Sequence, residues 1–125
     1  MPTLLDANSV LRYLLKDDPS KADAVEKAIA AGAEVTVEVL AACVCVLEGV
    51  YHMPRSLVAE ELGLLLDEVS CARRRVALVA LELYGVSGLS FGDCVLAAEH
   101  DEDEARREGL TFDKKLAGLV DRLDD

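Results

Sequence analysis

The strongest constraint on the fold is a change of hydrophobic period within the first fifteen residues. Residues 3–5 are typical of a short buried strand, and from Val10 onward apolar residues recur at helical spacing. This places Asp6 at the carboxyl end of a predicted strand, where open α/β sheets place their ligands. The alternative interpretation is that Asp6 or Asn8 only caps the following helix, because both residue types are favoured at that position.

Beyond this unit the chain alternates helical stretches with short strand-like ones. Asp18 and Pro19 are typical of a helix start, and Gly32 is typical of a helix end. The alternation predicts an α/β fold in one domain, residues 1–125, with a small parallel sheet flanked by helices on both faces. Five further helices are predicted: one over residues 39–51, one that begins at 54, one over 73–85, one that ends at 98 and one that begins at 113. Further strands are predicted over residues 34–37 and 109–112.

Composition narrows the class of protein. The chain has 125 residues, of which 52% are hydrophobic, which is enough for one aliphatic core. No basic region precedes an apolar segment at the N-terminus, and the longest nearly uncharged run, residues 39–53, is too short for a membrane span. We therefore expect a cytoplasmic protein that does not contact membranes. Its four cysteines lack metal-ligand spacing, which predicts buried reduced thiols.

The net charge is −11, which restricts the partners of the chain. Proteins that bind nucleic acid through broad electrostatics are basic. Three options remain: the chain avoids polynucleotides, binds them through a metal and a local basic patch, or binds a basic protein.

Four acidic residues lie in or beside apolar stretches, namely Asp6, Glu48, Asp93 and Asp113. Three of them have a simpler explanation. Asp6 and Asp113 are plausible helix N-caps, and Ser90-x-x-Asp93 is similar to a capping box.

Glu48 lacks such an explanation because it lies within a helix that is apolar nearly all round. An unpaired buried carboxylate is costly or takes up a proton, and the chain has no Lys or Arg within one turn of Glu48. A structural ion pair with a distant arginine is one solution. The interpretation that we favour is a metal shared by the four acids, because an oxygen-rich site suits Mg²⁺ or Mn²⁺.

Four stretches carry a more specific pattern: residues 5–14, the apolar helix that contains Glu48, residues 89–98 and residues 110–116. In this order and at these separations they resemble the PIN domain, and most closely the VapC-type toxin ribonucleases of bacterial and archaeal toxin–antitoxin pairs. The resemblance covers essentially the whole chain.

The resemblance implies about five parallel strands flanked by helices, with an acidic pocket at their carboxyl ends that binds Mg²⁺ or Mn²⁺ and cuts RNA. The four acids match the acidic positions of the family. Asn8 matches the polar residue that orients the first acid of the family, and Thr111 matches the hydroxyl residue often found before the last acid. Two features depart from the family: Ala7 stands where Thr or Ser is commoner, and residues 99–104 are unusually acidic. Residues 101–104 are expected to be an acidic surface stretch, and the basic run 73–75 is expected to be a solvent-exposed helix start rather than an RNA site.

The implied function is that of a metal-dependent endoribonuclease, the toxin of a toxin–antitoxin pair. We expect Asp6 and Asp93 to bind the metal directly. Glu48 and Asp113 are expected to bind it through water, to hold a second ion or to position the nucleophile. Arg12, on the first helix, is the candidate for contact with RNA phosphate.

A second function belongs to a different class. The chain could instead be a Mg²⁺-binding interaction module that acts through a basic partner protein and leaves RNA intact. The resemblance also predicts a homodimer, formed through the apolar early helices, and a small basic antitoxin as partner. The negative charge favours rapid association with such a protein.

Overall fold

The structure, a computed structural model, describes residues 2–108. It consists of helices joined by short connections, with two strands of two residues each. In chain order the elements are β1 (Thr3–Leu4), α1 (Ala7–Leu15), α2 (Pro19–Ala30), β2 (Ala33–Glu34), α3 (Val37–Gly49), α4 (Arg55–Glu68), α5 (Arg74–Val86) and α6 (Phe91–Glu108). None of the helices in this part of the chain has the length and apolarity that a bilayer crossing needs.

The two strands pair in parallel. Thr3 N–H donates to the carbonyl of Gly32 at 3.1 Å, and Leu5 N–H donates to that of Glu34 at 2.9 Å. On the other side of β2, Ser70 forms an isolated parallel bridge, in which Val35 N–H donates to the Ser70 carbonyl at 2.9 Å. Three chain segments therefore run side by side, and their carboxyl ends share one edge.

The prediction of an α/β fold with a parallel sheet of about five strands is wrong for residues 2–108, which are mostly helical. The physical reason is that the helices bury their apolar faces mainly against one another. Helix α4 packs on α5, α5 packs on α6, and α1 packs on both α2 and α3. The strand predicted over residues 109–112 lies outside the described residues.

The core is aliphatic, as the composition predicts, and comes largely from these helices. Tyr84 is the largest of the fully buried side chains, and it meets the ring of Phe91 edge-on at 6.0 Å between centroids. The other fully buried side chains are Leu40, Leu47, Leu62, Leu65, Leu66, Val10, Val35, Val58, Cys43 and Cys94.

Local sequence signals account for the helix ends. The Asp18 carboxylate accepts from Lys21 N–H at the start of α2, where Pro19 is the first helical residue, and both features were predicted. Gly32 follows this helix with a φ of 105°, a backbone conformation that favours glycine. Thr36 was predicted to be in a strand, but its hydroxyl accepts from Val39 N–H at 3.1 Å and caps α3.

Two expectations about exposure are wrong in part. Residues 101–104, predicted to be an acidic surface stretch, belong to α6, where Asp103 is exposed but Asp101 is only 4% exposed. Cys45 was expected to be buried but is exposed, whereas Cys43 and Cys94 are buried as predicted. Side chains two residues apart on a helix point in different directions, so Cys43 and Cys45 cannot both face the core.

Candidate functional site

Asp6 lies at the shared carboxyl edge of the parallel segments, two residues after the end of β1. Its Oδ1 accepts a hydrogen bond from Ser9 N–H at 2.8 Å, so it caps α1. This bond and the Ser9 side chain hold the pKa of Asp6 below its ordinary value. The residue is exposed and ionised at neutral pH. Capping and cation binding are compatible here, because the cap bond uses one carboxylate oxygen.

Cys43 of α3 shows what lies beside Asp6. Its thiol contacts the carbonyl of Ala7 at 3.8 Å. Burial raises the pKa of Cys43 to about 12, and the negative charge of Asp6 contributes to the shift. The face of α3 that carries Cys43 is therefore the one next to Asp6.

Glu48 has different neighbours. Its Oε1 lies 3.2 Å from Nη1 of Arg55, and its Oε2 accepts a hydrogen bond from the Tyr84 hydroxyl. The Tyr84 hydrogen bond and the Arg55 charge hold the pKa of Glu48 below its ordinary value. The side chain is 42% exposed rather than buried. Of the two interpretations of Glu48, the ion pair with an arginine beyond its own turn is the arrangement in the structure.

Glu48 lies on a different face of α3 from Cys43, the residue of this helix that lies next to Asp6. Cys43 and Glu48 are five residues apart on this helix, which separates their directions by about 140° and their heights by about 7.5 Å. No group of three or more His, Cys, Asp or Glu side chains among the described residues is arranged to hold a metal ion. Asp113 and Thr111 lie outside the described range.

Asp93 lies in the first turn of α6 and is exposed. The Ser90 hydroxyl accepts from Asp93 N–H at 3.1 Å, so Ser90 caps this helix as the capping-box alternative predicts. The adjacent Cys94 thiol has a pKa raised by burial, and the charges of Asp93 and Arg55 both act on it. Asp93 and Arg55 are thus close to the same buried sulfur.

Arg12, the candidate phosphate ligand, is paired within the protein. Its Nη1 lies 2.5 Å from Oδ2 of Asp17, and its Nη2 donates to Oδ1 of Asn8 at 3.4 Å. The hydrogen bond from Arg12 holds the pKa of Asp17 below its ordinary value. Asn8, expected to orient Asp6, contacts Arg12 instead. The guanidinium is accessible, since its side chain is 29% exposed, but RNA would have to compete with Asp17.

Sequence reasoning missed Arg55 and Tyr84, the two partners of Glu48. Arg55 follows Glu48 by seven residues and lies beyond Pro54, so the search within one helical turn did not reach it. Tyr84 carried a usable signal, because a tyrosine at a core position of a helix needs a partner for its hydroxyl. Comparison with known proteins adds no further assignment: no family model, no curated protein and no solved structure matches this chain.

Proposed function

We propose that the chain is a metal-dependent endoribonuclease, the toxin of a toxin–antitoxin pair. The observation that supports this most directly is Asp6, an ionised and exposed carboxylate at the carboxyl edge of parallel chain segments. The order of the four acids along the sequence adds to it.

The available donors suit Mg²⁺ or Mn²⁺. These ions prefer oxygen ligands, and Mg²⁺ is commonly held by one or two carboxylates together with water and substrate phosphate. Asp6 and Asp93 are exposed carboxylates, and Asp6 has one oxygen that its cap bond does not use. We propose these two as direct ligands, with Asp113 as a further acid.

The metal, when bound, supplies an activated water and offsets charge on the scissile phosphate. The protein contributes the positions of its acids: the cap bond to Ser9 fixes the Asp6 carboxylate, and the first turn of α6 carries Asp93. Arg12 provides a positive charge for RNA phosphate once it exchanges its partner Asp17. Glu48 contributes through its contacts with Arg55 and Tyr84.

The experiment is incubation of the protein with total RNA in Mg²⁺, in Mn²⁺ and in chelator, followed by mapping of the new RNA ends. We expect discrete cleavage sites that require the divalent ion. Asp6→Asn serves as the control for contaminating nuclease, because the same sites should weaken with this variant. RNA that stays whole with every ion contradicts the proposal.

The second candidate is an interaction module that binds a basic protein without cutting RNA. The net charge of −11 favours it, because such a charge accelerates association with a basic partner. Intact RNA together with salt-sensitive binding of a basic peptide would favour this candidate over the nuclease.

The proposed assembly is a homodimer formed through the early helices, with a small basic antitoxin as partner in the cytoplasm. Light scattering at tens of micromolar protein, a range suited to complexes with about micromolar Kd, tests the dimer. A mass equal to one chain would contradict it.

A further inference from the structure

Arg55, the first residue of α4, connects parts of the chain that are distant in sequence. Its Nε donates to the carbonyl of Tyr84 at 3.1 Å, and its Nη1 donates to Glu48 at 3.2 Å. Its Nη2 donates to the carbonyl of Leu89. All three nitrogens of the guanidinium are therefore engaged, each with a different residue. These residues belong to α3, α5 and the segment before α6.

The guanidinium also contacts an aromatic ring. It stacks on the Tyr84 ring, with Cζ 3.8 Å from the ring centroid, and the hydroxyl of the same tyrosine donates to Glu48. Arg55 itself is only 25% exposed. A planar guanidinium presents its donors in a fixed fork, so little freedom is lost when all of them are used. Glu48 and Tyr84 thus fix the plane in which Arg55 meets Leu89.

The contact with Leu89 lies directly before the start of α6. Leu89 precedes Ser90, whose hydroxyl accepts from Asp93 N–H at 3.1 Å and whose carbonyl accepts from Cys94 N–H at 3.1 Å. A backbone held at Leu89 therefore places the cap residue and, through it, the first turn of the helix. Asp93 is carried by that turn.

We propose that Arg55 is a positioning residue for Asp93, anchored by Glu48 and Tyr84. This inference rests on the proposed function, because Asp93 is there a metal ligand. It gives Glu48 a role in the proposed site without contact with metal: its charge orients Arg55, and Arg55 holds the segment from which Asp93 extends. Loss of the Leu89 contact loosens the first turn of α6 and weakens metal binding by Asp93.

A matched control exists elsewhere in the chain. Arg74 also donates to a backbone carbonyl, that of Leu66, and to a carboxylate, Oδ1 of Asp67 at 3.0 Å. Arg74→Lys removes the same kind of fork, but both partners of Arg74 lie near the end of α4 and neither belongs to the segment before α6. Arg55→Lys keeps the charge at its site but has no fork to reach Glu48, Tyr84 and Leu89 together.

The experiment measures two quantities in the wild type and both lysine variants. The first is amide hydrogen exchange at residues 93 and 94, taken relative to residue 22 of α2 so that global unfolding cancels. The second is the Mn²⁺ concentration that gives half-maximal RNA cleavage. For Arg55→Lys we expect relative exchange and the half-saturating concentration each to rise about tenfold, with cleavage at saturating Mn²⁺ near wild type. Arg74→Lys should change neither.

The outcomes separate the two proposals. If Arg55→Lys lowers only the active fraction of the protein and leaves the half-saturating Mn²⁺ concentration unchanged, Arg55 contributes only to general stability. That result overturns the positioning role. If Arg55→Lys does not fold, Tyr84→Phe removes the bond to Glu48 and keeps the stacked ring, and the same two changes are expected at smaller size. Wild-type protein that cuts no RNA refutes the proposed function. Wild-type cleavage with Arg55→Lys behaving like Arg74→Lys refutes only the positioning role.

Discussion

Arg75 and Asp101 form an ion pair across the interface of α5 and α6, with Nη2 of the arginine 3.3 Å from Oδ2 of the aspartate. Asp101 is almost fully buried, whereas the Arg75 side chain is 58% exposed. A second ion pair joins Arg73, which precedes α5, to Glu99 of α6, with Nη2 of the arginine 2.7 Å from Oε2 of the glutamate. A basic run and an acidic run, each expected to face solvent, therefore hold two helices together.

Replacement of Arg75 by alanine should destabilise the fold by about 1–3 kcal/mol, because the buried carboxylate of Asp101 would lose its cation. Arg73→Ala is the control, since its partner Glu99 is half-exposed and such pairs contribute no more than about 1 kcal/mol. Urea denaturation measures both free energies of unfolding. Equal losses in the two variants would contradict a special role for the buried pair.

The cysteines should differ in reactivity. Cys45 is exposed, while burial raises the pKa of Cys43 to about 12 and leaves very little thiolate at pH 8. Brief alkylation of the folded protein at pH 8 should therefore modify Cys45 and spare both Cys43 and Cys94, as peptide mass spectrometry would show. Modification of Cys43 at the rate of Cys45 would mean that α3 does not pack as described.

Freeing Arg12 should strengthen RNA binding. Asp17→Asn removes the charge that competes with phosphate for this guanidinium, and an exposed pair of this kind is worth at most about 1 kcal/mol, or about fivefold in affinity. We expect a lower KM for RNA with an unchanged kcat. Arg12→Gln should raise KM. If neither substitution changes KM, Arg12 does not contact the RNA.

Asp93→Asn tests the metal site through stability rather than activity. Ligand binding to the folded state stabilises it by RT ln(1 + [L]/Kd), so Mn²⁺ should raise the Tm of the wild type. The rise should be smaller for Asp93→Asn and unchanged for Glu60→Gln, which removes an exposed charge on α4. Equal Mn²⁺-induced shifts in the wild type and Asp93→Asn would contradict metal binding by Asp93. The Ser90–Asp93 segment would then serve only to cap α6.

Signals local to the chain predicted the ends of α2 but not the fold class. Asp18, Pro19 and Gly32 each carry a preference that acts within a few residues, and the ends of α2 follow from them. The number of strands was not accessible in this way. The parallel contacts involve only two residues in each of β1 and β2 and one bridge at Ser70. No larger sheet is needed among the described residues, because the helices bury their apolar faces against one another.

The candidate site was harder to predict because its contacts join residues far apart in sequence. The Tyr84 hydroxyl bonds to Glu48, 36 positions away, and Arg55 bonds to the carbonyl of Leu89, 34 positions away. Hydrophobic periodicity indicates which face of a helix is buried, but it does not say which charged side chains meet once the helices pack. The two roles proposed for Asp6, helix cap and metal ligand, were partly predictable, because the sequence indicated both a helix cap and a strand end at this residue.

The most direct test of the proposed function compares Asp6→Asn with Asp18→Asn. Both aspartates cap a helix through a backbone N–H three residues on, and asparagine caps about as well, so both variants should fold. In Mn²⁺ we expect RNA cleavage to fall at least about tenfold for Asp6→Asn and to stay within about twofold of wild type for Asp18→Asn. Wild-type cleavage by Asp6→Asn would contradict the proposed metal-dependent ribonuclease.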